Sequence, residues 1–370
     1  MSAFFYSLYY KFFALFTATL MLISPSFKKT VERVETDKQF QLTHIEELKN
    51  AYASGEKTAV DEDAIFNGNL EKALSDGTKL NNIAVIGTHN SYQRYHEGQS
   101  SGFCGLNNEK GMPITLSDQL DAGLRNLEID VETVVDETGT HFVCMHSPLL
   151  DMATNCYSFE KALEEIAVWS DNNPGHLPIT IIIEPKSVFI PLENMRFFSA
   201  EAANELDKTV RDALADRLLT PADTMGSFDS LKAMREADAW PEVRDILGRI
   251  IAVLHPCGAT SDYIKQDETV KTQSMFPMVR PADKDKSYAA FLLVNDASAL
   301  LSKYTGLADG NFMIRTRADL SGRYSASTFA TAASTVANII STDYPFLGSG
   351  GSDQYVAFDG NTAVKLTNTR

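Results

Sequence analysis

Four short motifs hold the residues of this chain best suited to chemistry: His89 and Asn90 in IGTHN, Glu128 and Asp130 in LEIDVE, His146 in VCMHS, and Glu184 in IIIEPK. Glu128 and Asp130 are one residue apart, so on a strand both carboxylates face the same side. Carboxylates placed this way repel unless a cation or protons intervene. Asn90 and Glu184 add further oxygen donors, and an all-oxygen set favours a hard cation, Ca2+ or Mg2+, over zinc. Histidine gives or takes a proton near neutral pH. A pair of them suits a reaction that must deprotonate an attacking oxygen and protonate a leaving one. Cleavage of a phosphodiester needs both steps. The motifs therefore predict a metal-assisted phosphodiesterase, with His89 and His146 as the acid–base pair and Asn90, Glu128, Asp130 and Glu184 around the metal.

Basic neighbours of these motifs are candidates for substrate binding. Lys186 faces the same way as Glu184 and can hold a phosphate oxygen or neutralise the acidic cluster. Arg315 and Arg317 in RTRAD share one face after an apolar run, and a guanidinium clasps phosphate oxygens through two parallel hydrogen bonds. Asp343 in STDYP follows the last apolar run, where it can orient an arginine or a substrate hydroxyl, or cap a turn. Glu132 lies further along the strand of Asp130 and reads as an ordinary ion-paired residue. His44, His96, His141, His176 and His255 read as surface or structural.

Positioning these side chains requires strands that end together. Short apolar runs at Ile83–Ile86, Asn126–Val131, Phe142–Met145, Ile179–Glu184, Ile250–Leu254, Phe312–Arg315 and Asn338–Ser341 read as strands, with a weaker one at Arg217–Leu219. Helical patterns intervene at Ser158–Trp169, Ala200–Leu214 and Ser227–Ala237, and Thr220 with Asp223 reads as cap chemistry. Strands alternating with helices predict an α/β fold, a TIM β/α barrel, whose chemistry gathers at the C-terminal ends of the strands.

The chain has 370 residues, 44% of them hydrophobic, and carries 33 basic against 49 acidic side chains, a net charge of −16. Such an acidic surface argues against nucleic acid as a partner, and nothing in the sequence points to a protein partner. Residues 12–24 form an apolar run behind Lys11, read as a secretory signal peptide or a membrane anchor over 1–26. The expected location is thus exported: secreted or extracytoplasmic, with retention at a membrane as the variant. Residues 27–75 read as a polar spacer containing a helix near Gln41–Tyr52 with Leu42, Ile45 and Leu48 inward, and 76–370 as the catalytic barrel. Four cysteines (Cys104, Cys144, Cys156 and Cys257) behind an export signal allow two disulfides. GSGGS at 348–352 reads as a flexible loop.

In the order GTHNSY, LEIDVE, MHSP, IEPK, RTRAD and STDYP, the chain resembles the bacterial calcium-dependent phosphoinositide-specific phospholipase C family over roughly residues 80–360. The resemblance implies a distorted TIM barrel of the phospholipase C-like phosphodiesterase type with Ca2+ at its mouth. It implies cleavage of phosphatidylinositol-type lipids, at a membrane surface, to diacylglycerol and inositol phosphate. By matching motifs, His89 and His146 are the catalytic histidines, and Asn90, Glu128, Asp130 and Glu184 the calcium ligands. The segment Ser261–Lys303 does not match. Other readings are a glycerophosphodiester phosphodiesterase or a sphingomyelinase D-like enzyme on the same barrel, and a non-catalytic module that binds head groups. Asn90 argues against the first, since glycerophosphodiesterases typically carry Arg-Gly after the first histidine.

Overall fold

The computed structural model describes residues 25–94, 114–148, 151–187, 194–258, 260–320, 323–345 and 354–367, with Leu192 and part of 9–19. Among the described residues, eleven strands form one sheet: β1 (Ile83–Thr88), β2 (Asn126–Asp136), β3 (Gly139–Cys144), β4 (Ile179–Pro185), β5 (Met195–Arg196), β6 (Ile250–Leu254), β7 (Phe276–Val279), β8 (Phe291–Asp296), β9 (Met313–Arg317), β10 (Ile339–Thr342) and β11 (Val364–Leu366). Eight of them, β1, β2, β4 and β6 to β10, run parallel around a closed barrel. Closure comes from β1, which pairs with β10 from Val85↔Ile339 to Thr88↔Thr342 and touches β2 through Gly87↔Asn126.

The barrel is the expected one, but its strands are not all the expected ones. Phe142–Met145 belongs to a hairpin: β3 runs antiparallel to β2 from Val131↔Cys144 to Asp136↔Gly139. The tight turn at Asp136–Gly139 folds the chain straight back, so no crossover helix separates the two strands. Leu218 makes only a single bridge to Ile250. The missing staves are β7 and β8, inside the stretch Ser261–Lys303 where no strand was expected. At four and six residues they are short, and Pro277 in β7 lowers its strand signal because proline has no ladder N–H.

Strand alternation sorts the core. Leu127, Ile129, Val131, Ile181, Ile183, Ala252 and Leu254 face outward, packing on the helices Phe159–Asn172 and Ala200–Leu214. Their neighbours Ile83, Val85, Ile182, Val253, Met313 and Ile339 fill the interior. Each such fully buried aliphatic side chain contributes about 1.5–3 kcal/mol. The inward parity, carried two to four residues further, reaches Glu184, His255, Arg315, Ser341 and Asp343. The interior is thus apolar low in the barrel and charged at its C-terminal mouth.

The helices start where the sequence supplies caps: Ser158, Ser199 and Ser230 accept from the third residue onward, and Thr220 with Asp223 forms a reciprocal capping box. A 30-residue helix, Pro25–Ser54, lies against the barrel. Its inward stripe is Val34, Asp37, Gln41, Ile45 and Leu48, whereas Leu42, expected inside, is 44% exposed. Three- and four-residue steps from Gln41 reach Ile45 and Leu48 but place Leu42 on the flank. Gln41 holds both the N–H and the carbonyl of Ser158, tying this helix to the next one's cap.

Much of the 1–26 segment, the 348–352 loop, His96 and Cys104 lie outside the described residues. Tyr9 and Tyr10 pack on Phe197. No helix among the described residues is long and apolar enough to cross a membrane. Cys144, Cys156 and Cys257 are free thiols.

Candidate active site

β1 ends in a turn that its sequence is suited to make. Asn90 has φ +51°, a left-handed conformation that asparagine accepts more readily than most residues. The turn lets Ser91 reach across to β2, where its N–H donates to Glu128 O at 2.8 Å and its Oγ accepts from Glu128 N–H at 2.7 Å. His89 and Asn90 are thereby fixed beside the carboxylates of β2.

Those carboxylates are buried: Glu128, Asp130 and Glu132 are each at most 1% exposed. Burial pushes the Glu128 carboxyl up, but the Arg315 guanidinium, with His89 and His255, more than offsets this and brings it to about 2. Arg315 Nη2 lies 2.6 Å from Glu128 Oε2, and Arg315 also donates to Asn295 and Ser341. Lys186 Nζ bridges Asp130 Oδ2 and Glu184 Oε1 at 2.9 Å each. Tyr92 donates to the same Asp130 oxygen at 2.8 Å. Even so, burial raises the Asp130 carboxyl and pushes Glu132 up to about 8. The mouth holds more negative charge than its own cations balance.

His89 sits on a carboxylate. Its Nδ1 is 2.7 Å from Asp343 Oδ1, and its Nε2 faces Arg317 Nη1 at 3.4 Å and Glu128 Oε1 at 4.0 Å. Asp343 Oδ2 in turn accepts from Arg317 at 3.1 Å. Asp319 secures this corner from behind, accepting from Asp343 N–H at 2.7 Å and from the Thr342 hydroxyl at 2.8 Å.

The second histidine arrives by another route. His146 follows the hairpin strand β3 and not a barrel stave. Its Nδ1 lies 3.5 Å from Asp151 Oδ2, and the Ser147–Asp151 bridge folds the intervening loop back. Burial, with Lys186 and His89 nearby, depresses His146 to about 4, and burial raises Asp151 to about 7.

Of the candidates for substrate binding, Lys186 lies on Asp130 and Glu184, one of the two roles the sequence allowed it; Asp343 holds Arg317 as well as His89, again one of its expected roles; and Arg315 pairs with Glu128. Arg317 shares this corner through Asp343 and Asp319. The sequence reading missed His255. It directly follows β6, and its Nδ1 stands 3.9 Å from Glu184 Oε2. Its place one residue beyond an apolar run was the available signal. Tyr92, Asp151 and Asp319 gave no such signal, because each comes from a loop whose path no periodicity predicts, and Asn295 lies in β8, a strand the sequence reading did not assign.

The donor set fits a hard cation. Asp130 Oδ1 is buried without a hydrogen-bond partner among the described residues, an acceptor that a cation would satisfy. Glu128, Glu184 and His255 each offer an atom within 4.8 Å of the others. This group shares Glu128 and Glu184 with the expected four; where they differ, the orphaned oxygen and oxygen-rich surroundings favour the oxygen set.

A profile for phosphoinositide phospholipase C, Ca2+-dependent, matches residues 78–144 and 133–368. No curated protein matches the chain. Among solved structures, the chain is similar to the calcium-dependent phosphoinositol-specific phospholipase C of a Pseudomonas species, with 20% identity and a TM-score of 0.57 over 83% of this chain and all of that one. It is also similar to the Ca2+-dependent phosphatidylinositol-specific phospholipase C of Streptomyces antibioticus, with 19% identity and a TM-score of 0.55 over 72% of this chain and 95% of that one. At these identities the structural likeness establishes the fold, and the profile, spanning most of the chain, establishes the family. The chain is a phosphoric diester hydrolase and belongs to the Ca2+-dependent phosphoinositide phospholipase C family.

Proposed function

We propose that the barrel mouth cleaves phosphatidylinositol-type lipids to diacylglycerol and inositol phosphate. The observation that carries this reading is the convergence of two histidines on one buried acidic cluster, His89 held by Asp343 at 2.7 Å and His146 standing 3.5 Å from Asp151. Asn90, Glu128, Asp130 and Glu184 are the residues that would hold Ca2+. Bound there, the ion supplies Lewis-acid stabilisation of charge on the phosphate.

The chain's own groups do the rest. Asp343 keeps the proton of His89 on Nδ1 and leaves Nε2 to take the proton of the attacking oxygen, an inositol hydroxyl or water, as that oxygen's bond to phosphorus forms and the bond to the glycerol oxygen breaks. Arg317, beside that nitrogen, stabilises charge that develops on the phosphoryl oxygens. His146 is neutral at pH 7 in the ligand-free mouth. An arriving phosphodiester anion favours its protonated form, and that proton goes to the departing glycerol oxygen.

We further propose that the protein is exported and works at a lipid surface, with residues 1–26 as leader or anchor. The apolar run at 12–24 supports this; the N-terminal residue of the protein recovered from a native membrane fraction and from medium tests it.

The activity is tested by release of inositol phosphate from phosphatidylinositol vesicles, with Ca2+ and then with chelator. Release that needs Ca2+ is expected. Equal release in chelator removes the metal from the reading, and no release by folded protein removes the substrate.

A further inference from the structure

The helix Pro25–Ser54 precedes the region of family likeness, since the profile match begins at residue 78. It nevertheless packs on a loop that holds reacting groups. Val34 shares one buried apolar cluster with Met145 and Met152. Met145 directly precedes His146, and Met152 directly follows Asp151.

One turn along the helix, Asp37 joins two loops of the mouth. It is only 4% exposed. Its Oδ1 accepts from Arg94 Nη1 at 2.8 Å, and its Oδ2 from the Thr154 N–H at 3.2 Å. Arg94 lies in the segment after β1 that carries His89 and Asn90, and Thr154 in the segment after β3 that carries His146 and Asp151. Phe40 lies under the Arg94 guanidinium, 5.5 Å from ring centre to charge.

The two segments are stitched together at the same place. Gln93 bridges Thr154, the Arg94 N–H donates to Ala153 O at 3.3 Å, and the Asn155 N–H donates to Tyr92 O at 2.7 Å. The Gln93 side chain donates to Asp151 Oδ2, the oxygen that stands 3.5 Å from His146 Nδ1. A continuous set of contacts thus leads from the helix to a histidine of the mouth.

Stability alone does not account for a carboxylate at this position. A buried ion pair often gains nothing over apolar residues of the same volume, and Val34, Ile45 and Leu48 on the same inward stripe are apolar. A carboxylate supplies direction instead: its two oxygens fix two donors from separate loops relative to each other.

We propose that Asp37 is a positioning residue of the active site. Reaching in from a helix outside the family profile, it sets the Arg94 and Thr154 loops in register and so fixes Asp151 and, through it, His146. The inference rests on reading His146 as the proton donor.

Two measurements on the full chain test it: kinetics on phosphatidylinositol vesicles with Ca2+, and NMR of protein with 13C-labelled histidine rings. Asp37→Ala should lower kcat by up to about 100-fold, the cost of about 1 Å of misplacement, and change KM by less than about twofold. The His146 ring signal, assigned by its loss in His146→Gln, should shift and broaden. Leu48→Ala leaves a cavity toward the other end of the same helix; it should lower Tm but leave kcat and the His146 signal in place. Asp37→Asn keeps the shape and one acceptor oxygen, so it should recover part of kcat, and it carries the test if the alanine variant does not fold. An unchanged kcat, or a His146 signal that does not move, overturns the proposal. So does a Leu48→Ala variant that reproduces both effects, which would reduce Asp37 to a fold-stabilising contact. If the unmodified protein cleaves no phosphatidylinositol, the reaction proposed above falls and the His146 signal decides alone: movement in the Asp37 variants and none in Leu48→Ala upholds the positioning.

Discussion

Asp343 Oδ1 lies 2.7 Å from His89 Nδ1, while its other oxygen holds Arg317 at 3.1 Å. One carboxylate therefore fixes both the tautomer of a histidine and the position of the guanidinium beside it. Asp343→Asn preserves shape but removes the charge and the unambiguous acceptor. We expect kcat to fall about 100-fold, within the usual range for a disabled acid–base residue, with KM changed much less. Steady-state kinetics on phosphatidylinositol micelles gives the answer; a change confined to KM would assign Asp343 to substrate binding.

The surplus of buried carboxylates predicts stabilisation by calcium. At a free Ca2+ concentration 100 times Kd, linkage gives about 2.7 kcal/mol, visible as a rise in Tm. Glu128→Gln should suppress that rise. It also strips Arg315 of a buried partner, so the baseline Tm drops too, and the calcium-induced shift is the quantity to compare. A full shift in the variant would exclude Glu128 from the ligand set.

His176 provides a pH dependence unconnected with the mouth. It is fully buried, with Nδ1 on Leu177 O at 2.7 Å and Nε2 on Ser170 Oγ at 2.8 Å, and burial depresses it to about 4. The unfolded chain keeps the ordinary value near 6.5. Between pH 6.5 and 4 the unfolded state binds the extra proton, so stability falls as pH falls through that window, by up to about 3 kcal/mol. His176→Asn should shrink the slope of unfolding free energy against pH there by about one proton. An unchanged slope in urea titrations would rule out His176 as its source.

Gly87 is a packing prediction. A Cβ at this position would meet Asn126 Cβ at 2.4 Å and the Asn126 carbonyl oxygen at 2.6 Å. Gly87→Ala should cost about 3 kcal/mol, the upper end for overpacking, because backbone and not a mobile side chain must move. Denaturant unfolding measures it, and a loss under about 0.5 kcal/mol, the scale of a neutral surface change, would mean that the two strands separate readily.

How far the sequence reached follows from what each residue depends on. Glu128, Asp130 and Glu184 were legible because strand parity puts Glu128 and Asp130 on one face and each motif closes an apolar run, which in the barrel sets Asp130 level with Glu184. His146 was legible as a histidine beside an apolar run, yet its strand was misassigned: a hairpin arm and a barrel stave have the same apolar pattern and differ only in partner. β7 and β8 were hidden by shortness and by Pro277. The partners of Arg315 and Asp343 were illegible because they come from strands far apart in sequence, and no local rule pairs residue 315 with residue 128. His255 was set aside as an isolated histidine, although Glu184 stands beside it on the adjacent strand β4.

The contact between β1 and β2 is one residue pair, against four for β1 and β10. The hydrogen-bonded ring is therefore thinnest between its first two strands, and Asn90 and Glu128 stand on either side of that gap. An ion bound as proposed, held by both, would act as a rivet across the weakest joint of the barrel. Amide protons flanking the gap, those of Ser91 and Glu128 above all, should be the ones whose exchange with solvent slows most when calcium is added, so the same atoms that serve turnover would also govern how often the barrel breathes.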